Sequence, residues 1–250
     1  MSDAPLPLRT LAFGDLDGVA WGVAWFPDPS LPGFVAVGSA KDAVTVEAQL
    51  EPDDDGVGWR LHGYGVELNV SGAGDDAGDL RGEFDAVCRV HGGITVEAVE
   101  HDVDCLGRLA VHAGAGGLDK FDSVRDVSAW FDPAHGLSVV ALRPRKARGQ
   151  DADVVSAVAL EPEGPLAIED PRLSTTYAGD GRPLRVGLEL WVSADDGDEE
   201  EPQYPRRASG ETLGVAATGR LGSFDVLAQF VRWDSRYGDG AGVYLLAQHS

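Results

Sequence analysis

Val19-Ala20-Trp21-Gly22-Val23-Ala24-Trp25 decides how the rest of the chain is read. Its large side chains, Val19, Trp21, Val23 and Trp25, take every second position, and the small Ala20, Gly22 and Ala24 lie between them. A period of two puts the two classes on opposite faces of an extended strand, whereas a helix needs a period near 3.6. The same alternation continues down the chain. Val44, Val46, Ala48 and Leu50 alternate with Thr45, Glu47 and Gln49, and Leu80, Phe84, Ala86, Cys88 and Val90 with Arg81, Glu83, Asp85 and Arg89. It recurs through 123–131, 136–143, 153–161, 183–193, 207–218, 223–234 and 241–248. Asp53-Asp54-Asp55-Gly56, Gly92-Gly93, Gly179-Asp180-Gly181 and Gly238-Asp239-Gly240 read as the turns between strands. The expected fold is all-β, built from antiparallel barrels or curved sheets with little or no helix.

The pattern also repeats. Ala24-Trp25-Phe26-Pro27 is echoed by Ala129-Trp130-Phe131-Asp132, the stretch 44–52 by 154–162, and 80–85 by 184–189. Three matches in the same order suggest two tandem units, 1–115 and 116–250. The boundary falls in the glycine-rich His112-Ala113-Gly114-Ala115-Gly116-Gly117, where few contacts need cross.

Composition narrows the function. The 42 acidic and 20 basic residues leave a formal net charge of −22, which repels phosphate backbones, so nucleic acid is not an expected partner. Met1 to Thr10 carries no basic stretch followed by an apolar one, so no signal peptide is expected, and no apolar run is long enough to span a bilayer. Cys88 and Cys105 read as two thiols in a reducing compartment, which makes the cytoplasm the expected location. The acidic tract Asp195 to Glu201 reads as a solvated loop.

No nucleophile elbow, phosphate loop or dinucleotide fingerprint is present, and no cofactor is expected. In Glu100-His101-Asp102-Val103-Asp104-Cys105 a strand would put His101 and Cys105 on one face and the carboxylates on the other, so no metal site is expected there. The denser candidates lie in the second unit. Along 185–192, Val186, Leu188, Leu190 and Val192 form an apolar face, while Arg185, Gly187, Glu189 and Trp191 form a mixed one. That mixed face suits a partly polar cavity or a surface where the units meet; cross-strand salt bridges are the alternative. Arg125, Trp130, Arg143, Tyr177, Arg207, Glu211 and Trp233 are the other candidate ligand contacts. Glu189 is the candidate general acid, since burial would raise its pKa.

Leu173-Ser174-Thr175-Thr176-Tyr177, Gly187-Leu188-Glu189-Leu190-Trp191 and Tyr204-Pro205-Arg206-Arg207-Ala208-Ser209-Gly210-Glu211 give the chain a resemblance to the AttH-like and hydroxyneurosporene synthase group. The resemblance implies paired lipocalin-like barrels that bind a hydrophobic, isoprenoid or lipid-like molecule. Its alternative implication is a cofactor-independent hydratase, cyclase or isomerase, as in carotenoid 1,2-hydratase. Catalytic members of the group often carry an Asp-His-Ser-Trp-like segment between the halves. This chain instead reads Cys105-Leu106-Gly107-Arg108-Leu109-Ala110-Val111-His112, so no catalytic role carries over to that stretch. Oligomeric state is left open.

Overall fold

The computed structural model describes residues 7–27, 32–53, 56–73, 84–113, 118–148, 152–192 and 205–250. Strands β1 (Pro7–Gly14), β2 (Trp21–Phe26), β3 (Phe34–Gly38), β4 (Ala43–Val46), β5 (Ala48–Pro52), β6 (Trp59–Gly63), β7 (Val66–Gly72), β8 (Phe84–Val96) and β9 (Val99–Ala113) form one antiparallel sheet. Its order is β4-β3-β2-β1-β9-β8-β7-β6-β5. The two end strands, β4 and β5, are separated in sequence by Glu47 alone, so the sheet curls almost into a barrel.

After a 3-10 turn at Leu118–Lys120 come β10 (Phe121–Asp132), β11 (His135–Pro144), β12 (Val154–Glu161), β13 (Gly164–Tyr177), β14 (Pro183–Val192), β15 (Arg206–Leu221), β16 (Phe224–Ser235) and β17 (Gly238–His249). These pair in sequence order, and β17 returns to β10 to close the barrel. The chain is therefore two tandem lipocalin-like β units. The boundary expected at 115/116 lies outside the described residues, as do the tract 195–201 and Tyr204. No helix among the described residues is long and apolar enough to cross a membrane.

Among the described residues, apolar side chains are buried in three places. One cluster fills the first unit, including Leu11, Phe13, Leu61, Leu68 and Leu109. Another fills the second barrel, including Val127, Leu137, Leu188, Leu190 and Trp233. A third lies between the units, where Trp21, Val23 and Trp25 of β2 meet Phe224, Val226, Ala228 and Phe230 of β16 and Val243 and Leu245 of β17. This explains the opening stretch. The large residues of β2 face the partner barrel, while Gly22 lies beneath Phe13, whose ring a Cβ there would meet at 2.5 Å. Both faces of β2 are buried, one large and one small.

Several expectations change. The Ala-Trp-Phe echo is not strand-for-strand: Trp25 is in the second strand of its sheet and Trp130 in the first strand of the barrel. Short alternating matches recur because every half-buried strand meets the same pleat, whatever its place in the topology. The expected strand 44–50 is broken at Glu47, where the chain leaves β3 and joins β6. Gly92-Gly93 is not a turn but lies inside β8. Gly92 has φ 141°, and a Cβ there would sit 2.1 Å from the Glu67 carbonyl oxygen, so its role is close strand approach. The turn after β8 is made by Glu97 and Ala98, both at positive φ. Strand β13 departs from the alternation because it contains Pro165 and Pro171 and is irregular between Ile168 and Asp170.

Candidate functional site

The second-unit candidates fall in separate places. Arg125 and Arg143 both reach Asp153, Arg143 at 2.9 Å. Tyr177 lies 2.9 Å from the buried Tyr244 hydroxyl. Trp233 is inside the barrel and donates its indole N–H to the Ser128 carbonyl at 3.2 Å. Trp130 faces the first unit and donates to the Gly14 carbonyl at 3.3 Å. On β14, Val186, Leu188 and Leu190 line the barrel interior, so Arg185, Glu189 and Trp191 point outward. The mixed face lies neither in the barrel interior nor in the layer between the units; it is an outer surface where Glu189 pairs with Arg172 and Arg207 of the neighbouring strands.

Glu189 is half-buried beside a shallow groove of about 590 Å³. It accepts from the Trp191 indole at 3.2 Å and from Arg207 at 3.3 Å, with Arg172 at 3.9 Å. Glu211 is 3.6 Å from Arg232, and with Arg185 the pair borders a second surface groove of about 300 Å³.

A different constellation sits between the units. On β9, Arg108, Ala110 and His112 alternate outward from the first unit; on β8 so do Asp85 and Val87. On β10, Val124, Asp126 and Trp130 face back toward them. Arg108, fully buried, donates Nε and Nη2 to the two oxygens of Asp85 at 2.7 and 2.8 Å. Its Nη1 donates to Asp126 at 3.0 Å, and the Thr10 hydroxyl bonds the other Asp126 oxygen at 3.1 Å. One arginine of the first unit is thus clamped between a carboxylate of its own sheet and one of the other barrel. His112 Nε2 lies 3.6 Å from Asp85.

This network borders a cavity of about 330 Å³. Leu8 and Trp25 of the first unit and Leu118, Phe121, Val124, Val140, Leu142 and Val158 of the second line it. Ser138 and Ser156 add hydroxyls, and the buried Ser138 side chain makes no hydrogen bond to another described residue. An apolar chamber of this size with a few convergent polar groups has the usual form of a small-molecule site. Among the described residues, no group of three His, Cys, Asp or Glu side chains gathers as a metal centre.

The residues of this site carry a legible signal that motif spacing does not pick out. Asp85, Arg108 and Asp126 are charges on strand faces that also carry apolar residues, and a charge that must be buried needs a partner elsewhere. Which charge pairs with which is set by how the units dock, and alternation within a strand carries no record of that.

Burial would raise the Asp85 carboxyl, but the Arg108 guanidinium, assisted by His112, outweighs it and holds the group down to about 2. A folded pKa below the ordinary 3.8 adds stability above that value and loses it as pH falls through about 2. The expected result is a loss of about 2 kcal/mol between pH 4 and pH 2 relative to Asp85→Asn, read from urea midpoints across that range. Cys88 and Cys105 are both free and buried; burial pushes the Cys105 thiol up to about 12 and the Cys88 thiol further up.

The sequence matches no protein-family model and no curated protein. Solved structures do match along the whole chain. CghA superposes with a TM-score of 0.59 at 12% identity, covering 100% of this chain and 89% of its own. A protein assigned as AttH from Nitrosomonas europaea gives 0.54 at 10%, covering 99% and 93%. The chain has the fold of these proteins. Kievitone hydratase from Nectria haematococca shares it as well, with a TM-score of 0.52 at 8% identity, covering 98% and 89%. At such identities the likeness concerns the fold alone, and it agrees with the AttH-like organisation that the sequence resembles.

Proposed function

We propose that this chain binds a hydrophobic small molecule in the chamber between its two β units. One observation carries the reading: apolar walls from both units line a half-open cavity of about 330 Å³ beside the buried Asp85–Arg108–Asp126 network. The walls exclude water from the apolar body of a ligand, while the network and Ser138 orient its polar group. Native mass spectrometry of protein purified from its own host should show a bound molecule of fixed mass. Val140→Trp, which fills the chamber, should lose it, and Glu189→Gln, in the outer groove, should keep it with stability changed by less than about 0.5 kcal/mol. An empty wild-type protein across growth conditions, or retention by Val140→Trp, contradicts the reading.

A second reading rests on His112, whose ring stands beside Asp85 at the chamber. An imidazole at the chamber wall is a candidate proton-transfer group, and this would support cofactor-independent hydratase, cyclase or isomerase chemistry on the bound molecule. Glu189, the general acid suggested by the sequence, would serve such chemistry only for a substrate held in the outer groove with Arg207 and Trp191. His112→Gln distinguishes the two readings: turnover is lost if the chamber is catalytic, while ligand retention survives if it only binds.

A further inference from the structure

Resting on the chamber as the binding site, we infer that its ligand is an apolar molecule bearing a hydrogen-bond donor, bound best as a protonated amine, and that carboxylates are rejected. The charge count at the polar end carries this. Two carboxylates, Asp85 and Asp126, face one guanidinium, Arg108, and all three nitrogens of that guanidinium are engaged by those carboxylates. Among the described residues bordering the chamber, His112 is the one other group that can carry positive charge. Besides His112, the described charged groups there are two carboxylates to one guanidinium, on a chain whose net charge is −22.

Charge inside a chamber with apolar walls is screened far less than charge on an open surface. A ligand carboxylate would sit against like charge, a costly juxtaposition. An ammonium would make charge-assisted hydrogen bonds to carboxylate oxygens that still have lone pairs free. A hydroxyl, uncharged but able to donate, ranks between the two. The Ser138 hydroxyl is a second, independent pointer. It is 3% exposed, borders the chamber and makes no hydrogen bond to another described residue, so an incoming polar group has a ready partner beside the carboxylates.

The test is displacement of Nile red, a neutral apolar dye, by octylamine, octanol and octanoate at pH 8 and 0.15 M salt. Octylamine should displace the dye at a concentration at least about tenfold below octanoate, with octanol between them. Asp126→Asn, which removes one negative charge while keeping an oxygen for Arg108 and Thr10, should narrow that gap. Ser156→Asp should widen it, which covers the case in which Asp126→Asn does not fold. Octanoate equal to or better than octylamine overturns the inference and leaves the chamber intact as a site. A dye that none of the three displaces overturns the chamber reading itself.

Discussion

Arg108→Met is expected to destabilise the folded chain by about 3–5 kcal/mol, the largest single effect anticipated for a polar residue. The substitution keeps most of the side-chain volume but leaves Asp85 and Asp126 buried without their countercharge. The cost is therefore that of the stranded carboxylates more than the worth of the bonds. Adding Asp85→Asn and Asp126→Asn to Arg108→Met should recover much of the loss, because no buried charge then remains in the network. Urea denaturation of the single and triple variants measures both. A shift below about 1 kcal/mol for Arg108→Met would mean that the network is wetter or looser than its 2.7–3.0 Å contacts imply.

Trp21→Ala should cost about 3–5 kcal/mol, and both units should feel it. Trp21 is fully buried in the layer between the sheets, where its ring lies over Gly38: a Cβ at that glycine would sit 2.3 Å from the indole. Phe230 of the second barrel fits over Gly14 and Gly18 in the same way, at 2.9 and 3.0 Å from where their Cβ atoms would be. Glycines in three strand and turn positions thus make room for two large rings that lock one unit onto the other. Far-ultraviolet circular dichroism and near-ultraviolet tryptophan signals should therefore lose structure at one common, lowered midpoint. Separate transitions for the two signals would show that the units unfold independently and that this layer couples them weakly.

How much of this is legible in the chain differs from feature to feature. Alternation in Val19 to Trp25 reveals a strand, and the large-against-small contrast of its faces is visible in the residues alone. That both faces are buried is not visible, because the partner of the large face is a barrel encoded more than a hundred residues away. β13 is obscured by Pro165 and Pro171 and by an irregularity that breaks the period. Gly92-Gly93 misleads because glycine serves close backbone approach as readily as it serves a turn. The candidate site shows the same division. Arg185, Glu189, Arg207 and Glu211 form outer-face clusters, as charged residues opposite an apolar strand face usually do. The chamber's polar residues are scattered singly along 85–156, and they come together only through the docking of two curved sheets. His112 stands at the chamber beside Asp85, in the stretch to which the family resemblance assigns no role.

The ligand proposed for this chain lies between the units, neither inside a barrel nor in an outer groove. Photolabelling with an alkyl diazirine amine, followed by peptide mapping, locates it most directly. Label is expected on the segment carrying Ser138, Val140 and Leu142 and on the one carrying Trp25, with loss of both in Val140→Trp. Label concentrated at Arg207, Ser209 and Glu189, or on the barrel-lining Leu188 and Leu190, would contradict a site between the units.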